Sequence, residues 1–210
     1  MMFKGSNSFR QPKTRAEGKL MGKKTAFIIF TALFFVAGCF GPKGNTIGEK
    51  RAAVRKMRTD TLNELYRIHP IAREELKKSK GYAVFSNVGF NLFLLSTGSG
   101  WGIARNNATG KDVYMKMYSA GVGLGLGVKD FRGIFIFTTT EAFNKFVEKG
   151  WQAGGQADAA AKSGEKGGAV GSAIDIAPGI RLYQITENGL AIQATVQGTK
   201  YWKDDELNNE

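Results

Sequence analysis

Residues 120–128 read "AGVGLGLGV", with glycine at positions 121, 123, 125 and 127. Two folds compete for such a run. A glycine-rich phosphate loop between a strand and a helix would place the chain among parallel α/β proteins. A strand with one bare face would place it among antiparallel β-rich ones. Spacing decides between them. A G-x-G-x-x-G loop begun on any of these pairs needs its third glycine at 126, 128 or 130, and those positions hold Leu126, Val128 and Asp130. The next apolar segment, "GIFIF" at 133–137, is strand-like and opens no helix. At a strand period of two, the glycines fall on one face and Val122, Leu124, Leu126 and Val128 on the other. A bare face lets a second layer approach closely or a sheet curl.

The surrounding sequence repeats the strand pattern. "YAVFSNVGF", "FNLFLLS", "WGIA", "DVYMKMYS", "GIRLYQIT" and "LAIQATVQG" are short runs rich in β-branched and aromatic residues. Turn-forming residues separate them, such as 105–110, "RNNATG", and the Glu187-Asn188-Gly189 step, a hairpin signal. One helix interrupts. In "TTTEAFNKFVEKG", Thr138 and Glu141 fit a capping box, Phe143, Phe146 and Val147 share a face, and Gly150 ends it. Residues 156–173, small and polar, read on their own as a loop or weak helix. The expected fold is α+β: a compact antiparallel β-rich domain, curled or barrel-like, with N-terminal helices and one internal helix.

Ahead of the strands lies "EKRAAVRKMRTDTLNELYRI", free of Gly and Pro. Val54, Met57, Thr61, Leu65 and Ile68 recur at spacings of three and four, so they form one stripe of a helix. Arg51, Arg55 and Arg58 share a neighbouring face. A second short helix, "IAREELKKSK", follows His69-Pro70, with Pro70 placed to start it and Lys77, Lys78, Lys80 and Gly81 marking its end. Residues 45–80 carry ten Lys/Arg against five Asp/Glu, whereas 81–210 carry twelve of each. Lys50, Arg51, Arg55, Lys56 and Arg58 occur with no acid among them. Such a helix either packs its stripe on the core and faces its charges to water, or presents them to anionic headgroups, where each juxtamembrane cation contributes about 1 kcal/mol.

The only cysteine, Cys39, closes "MGKKTAFIIFTALFFVAGC". A lone cysteine makes no internal disulfide and no Cys-rich zinc site. Lys23 and Lys24, an apolar run and the small residues Ala37 and Gly38 form the three parts of a secretory signal. The uncharged run at 25–38 is 14 residues, short of the ~18–20 that span a bilayer. Val36-Ala37-Gly38-Cys39 resembles the lipobox of bacterial lipoproteins, which implies diacylglycerol on the Cys39 thiol and cleavage before it. Met21 opens this signal unaided, so the polar, aperiodic residues 1–20 read as an over-called start. The organisation expected is a signal region at 1–38, a lipidated anchor and short tether at 39–48, and one domain at 49–210. The first 38 residues hold seven Lys/Arg and one Glu, so the mature chain keeps +6 of the formal +12. An exported chain of that charge has no call on nucleic acid. Residues 40–48 reach at most ~30 Å, so a basic face on the first helix would live beside a membrane.

Several ordered segments carry a resemblance: "LNELYRIHPIAREELKKSKGYAVFSNVGF", "GVGLGLGVKDFRGIFIF", "FNKFVEKGWQAGGQADAAAKSG" and "GIRLYQITENGLAIQATVQG". Over roughly residues 60–203 the chain resembles the SYLF domain. That resemblance implies phospholipid binding without catalysis, a β-rich domain with flanking helices, and small-residue strands within 156–173. Eukaryotic SYLF proteins bind phosphoinositides and some act with actin regulators. Neither property carries over to a bacterial envelope, where SYLF members are commonly exported lipoproteins.

Catalytic signatures are weak. His69 is the only histidine, "GSGWG" lacks the serine of a nucleophile elbow, and Asp175 and Glu141 have no partner in the sequence. No metal spacing and no cofactor motif occur, so the chain reads as no enzyme, with covalent acyl groups on Cys39 as its one attachment. The function expected is an anchored lipoprotein that binds phospholipid, through the five cations at 50–58 and an apolar groove edged by Trp101 and Trp151. The alternative is an interaction lipoprotein whose basic tract binds an acidic envelope or protein partner. Either tryptophan could equally be core, and Trp151, directly after a helix, reads so. Phe40 rather than Asp after Cys39 points to the outer membrane, facing the periplasm.

Overall fold

The glycine run at 120–128 is strand. A computed structural model describes residues 41–152, 173–186, 189–190 and 198–209, with the backbone alone for 87–96, 121–131, 186 and 189–190. The signal region, Cys39, most of the small-residue segment at 156–173 and most of "LAIQATVQG" lie outside the described residues. By its contacts the chain divides into Met1–Cys39 and Phe40–Glu210, and the second unit holds every described element.

That unit begins with α1 (Ile47–Ile68) and α2 (Ala72–Lys78). Two long strands follow, β1 (Gly81–Asn106) and β2 (Asp112–Phe137). Then come α3 (Thr140–Lys149), β3 (Trp151–Gln152), β4 (Ile174–Ala177), β5 (Ile180–Thr186), β6 (Gly189–Leu190), β7 (Thr199–Lys203) and α4 (Asp205–Asn208). Pairing is antiparallel throughout the seven described strands, in the order β3-β7-β2-β5-β4, with β1 against β2 and β6 against β5. The α+β expectation holds, and the sheet curls as a half-barrel.

Curling follows from strand length. Three of the short runs expected before residue 105 are one strand, β1, and the runs from 112 to 137 are another, β2, glycines included. Gly121, Gly125 and Gly127 pair with Ser96, Phe93 and Asn91, and one register shift falls between Phe93 and Leu95. Twenty-six residues at ~3.3 Å each would extend ~85 Å, far beyond any single core, so the ribbon must bend. Along β2, β7 pairs at Met115–Ser119 and β5 at Phe131–Phe137. The expected hairpin near Gly189 is present, with Thr186 paired to Gly189.

Alternation along these strands builds two apolar faces. Ala83, Phe85, Ala104, Met115, Met117, Phe135 and Phe137 lie under Phe143, Phe146 and Val147 of α3. On the opposite face Val84, Ile134, Ile136, Tyr183 and Ile185 lie under Leu62 and Leu65 of α1 and Ala72 and Leu76 of α2. A third cluster joins Val54 of α1, Ile103, Tyr114 and Leu207 of α4. The Phe85 ring lies where a side chain on Gly102 would stand, so position 102 admits only glycine without a shift.

Three local expectations are refined. A capping box starts α1 at Thr46: its Oγ1 accepts from Glu49 N at 3.2 Å, and Glu49 Oε2 accepts from Thr46 N at 3.1 Å. The second helix starts two residues after Pro70, because Pro70 sits in a turn whose carbonyl takes the amide of Arg73. The cap of α3 is Thr139, not Thr138: Thr139 Oγ1 accepts from Ala142 N at 3.2 Å.

Candidate functional site

Arg51, Arg55 and Arg58 share one face of α1, as their spacing requires, and each bonds a partner within the chain, with Arg51 and Arg58 half-buried and Arg55 exposed. Lys50 Nζ stands 2.6 Å from Glu206 Oε1. Arg51 donates through Nε to the Leu207 carbonyl and through Nη2 to the Asn209 carbonyl, both at 2.9 Å, and its guanidinium lies 5.8 Å from the centre of the Tyr114 ring. Arg55 Nη1 donates to the Tyr114 hydroxyl at 2.6 Å. Arg58 shares Asp112 Oδ1 with Arg105, each at 2.9 Å. Lys56, on the solvent side, pairs with Asp60 one turn on. All five proposed headgroup cations therefore have partners within the chain.

The partners of Lys50 and Arg51 form a clasp. Asp204 caps α4 and also takes Lys116 Nζ at 3.1 Å, while Asn208 Nδ2 donates to the Tyr114 carbonyl at 2.7 Å. Leu207, 2 % exposed, plugs the cluster of Val54, Ile103 and Tyr114. The Lys50 ammonium holds the Glu206 carboxyl below its usual range.

A second basic group stands at the end of α2. Lys77, Lys78, Lys80 and Lys111 are exposed and have no ion pair among the described residues. Asn107 brings them together across the β1–β2 turn. Its Nδ2 donates to the carbonyls of Leu76 and Ser79 at 2.8 and 3.0 Å, and its backbone amide to Lys80 O at 3.1 Å. The carboxylate of Glu75 turns away, accepting from the Tyr183 hydroxyl at 2.9 Å and standing 3.4 Å from Arg181. In the sequence Lys77, Lys78 and Lys80 read as a helix stop. The signal that could have marked them was their charge run, and the hairpin turn that adds Lys111 lies about thirty residues on.

The two candidate tryptophans do not meet. Trp101 packs against the Val54–Leu207 cluster, whereas Trp151 packs on the α3 face, 5.9 Å from Phe135 and 5.8 Å from Tyr201 between ring centres. They lie on opposite faces of the sheet. His69 ends α1 and rests on the Tyr183 ring at 5.4 Å. Asp175 is 82 % exposed beside Arg181, and Glu141 opens α3.

The chain is similar to Beta cell expansion factor A of Aeromonas veronii. The two are 36 % identical over 162 residues, which is 77 % of this chain and 60 % of that protein. The chain thus matches less than two thirds of its relative's length. No protein-family profile matches the chain. Among the described residues no helix is long and apolar enough to cross a membrane, and no group of three or more His, Cys, Asp or Glu is placed to hold a metal ion.

Proposed function

We propose that this protein is a lipid-anchored SYLF-type lipoprotein of the bacterial envelope, whose domain binds anionic phospholipid headgroups. One observation carries the reading. The capping box fixes the start of the folded domain at Thr46, so only residues 40–45 separate it from the proposed acyl group on Cys39. Six residues reach ~20 Å at most. The start of α1 is thereby held within about two Debye lengths of a headgroup layer. Several acyl chains on Cys39 make the attachment durable, since a single chain is marginal at ~0.8 kcal/mol per CH₂. The outer membrane, on its periplasmic side, is the proposed site.

The test is co-sedimentation of the unlipidated domain, Phe40–Glu210, with phosphatidylglycerol-containing and pure phosphatidylcholine vesicles at low and high salt. Binding restricted to the anionic vesicles and lost at high salt is the expected result. Absence of binding to either would leave the anchor as the whole membrane interaction. The basic face of α1 favours a second reading in that event. It already holds one carboxylate of its own chain, Glu206 through Lys50, so an acidic envelope partner would suit the same chemistry.

A further inference from the structure

We infer that the membrane-contacting surface is the lysine edge formed by the end of α2 and the β1–β2 turn, and not the basic face of α1. The inference rests on the phospholipid reading and assigns it a place. Arginines 51, 55 and 58 are held by fixed carbonyl, hydroxyl and carboxylate partners. Arg51 and Arg58 are half-buried on those partners, so a headgroup at either meets a guanidinium already engaged. Lys77, Lys78, Lys80 and Lys111 are exposed, with no ion pair to displace among the described residues.

Three features match this edge to a bilayer surface. Lysines are compact charges on flexible stems, suited to a fluid layer of phosphates more than to one ligand of fixed shape. Ile71 is 66 % exposed, the most exposed of the large apolar side chains described. It is the N-cap residue of α2, two turns before Lys78 and in line with it along the helix. An apolar side chain beside lysines suits the boundary between headgroups and acyl chains. The edge is also within reach. Arg58, which bonds Asp112 beside the turn, is ~17 Å along α1 from its capped start, and the tether reaches ~20 Å. Glu74 is the exposed carboxylate on this face of α2, and it opposes the lysines.

The experiment compares affinities of Phe40–Glu210 for phosphatidylglycerol-containing vesicles. Lys77→Gln/Lys78→Gln/Lys111→Gln is set against Lys145→Gln/Lys149→Gln/Lys200→Gln, which removes equal charge from exposed positions on α3 and β7. At about fivefold per lysine, the edge variant should bind about a hundredfold more weakly, and the control should change far less. Glu74→Gln should bind about fivefold more tightly. Equal losses in both triple variants would mean that net charge, not this edge, governs binding, and would overturn the inference. So would an edge variant that binds like the parent while the parent remains anionic-selective, an outcome that leaves the phospholipid reading intact. A parent that binds no vesicle sinks both. A polarity-sensitive dye at Ile71→Cys gives an independent readout. It should shift to the blue on anionic vesicles while the same dye at Thr140→Cys does not, and the reverse pattern would refute the placement.

Discussion

Replacing Leu207 by alanine tests the clasp that ties the last four-residue helix to the first helix. Leu207 is 2 % exposed against Val54, Ile103 and Tyr114, all buried. Truncating a buried leucine costs about 2–5 kcal/mol, and a site near a chain end can relax, so about 2–3 kcal/mol is expected. For a domain of this size that is a fall in Tm of roughly 5–10 °C. Arg51→Ala removes two hydrogen bonds to the Leu207 and Asn209 carbonyls and should cost about 1–2 kcal/mol. The two changes act on one element. Once the clasp is off, the second loss has little left to remove, so the double variant should fall short of additivity by at least about 0.5 kcal/mol. Urea unfolding followed by tryptophan fluorescence reads this, because Trp101 borders the cluster. A Leu207→Ala cost below about 0.5 kcal/mol, or strict additivity with Arg51→Ala, would refute the clasp.

Other perturbations follow from single contacts. Thr139→Ala should cost about 1 kcal/mol by removing the cap of α3, while Thr138→Ala, whose side chain makes no cap, should stay within about 0.5 kcal/mol; equal costs would contradict the assigned cap. Gly102→Ala drives a methyl into the Phe85 ring and should cost about 1–3 kcal/mol by chemical denaturation, and a neutral result would mean the ring is not held there. Burial raises the ionisation of Tyr201 and Tyr183 above the ordinary tyrosine range, and for Tyr183 the hydrogen bond to Glu75 adds to it. The folded state then keeps protons that the unfolded chain releases near pH 10. Their contribution to stability is full below that pH and declines as pH rises toward the folded values. Tyrosinate absorbance from these two rings should therefore appear together with loss of circular dichroism, and native-state titration of every tyrosine near pH 10 would contradict the burial.

Much of the fold was legible because it is locally encoded. The glycine period at 120–128, the stripe of Val54, Thr61 and Leu65, and the Phe143–Phe146–Val147 face are each set by neighbours a few residues apart. The cap of α3 was misplaced by one residue because Thr138, Thr139 and Thr140 offer the same hydroxyl, and only the backbone path selects among them. The candidate site was less legible. Five cations at 50–58 read as an open basic face, yet Lys50 and Arg51 meet residues 156 or more positions away.

The sequence by itself determined the antiparallel β-rich class, the helices and their apolar stripes, and the chemistry expected of Cys39. These depend on short-range periodicity, turn residues and composition. Tertiary structure decided which strands run on as continuous 26-residue ribbons, which face each tryptophan occupies, and which cations are available to a partner. Those outcomes depend on long-range pairing. A cation reads the same in sequence whether it meets water or a carboxylate, and only the folded chain brings Glu206 to Lys50 while leaving Lys77, Lys78, Lys80 and Lys111 to solvent.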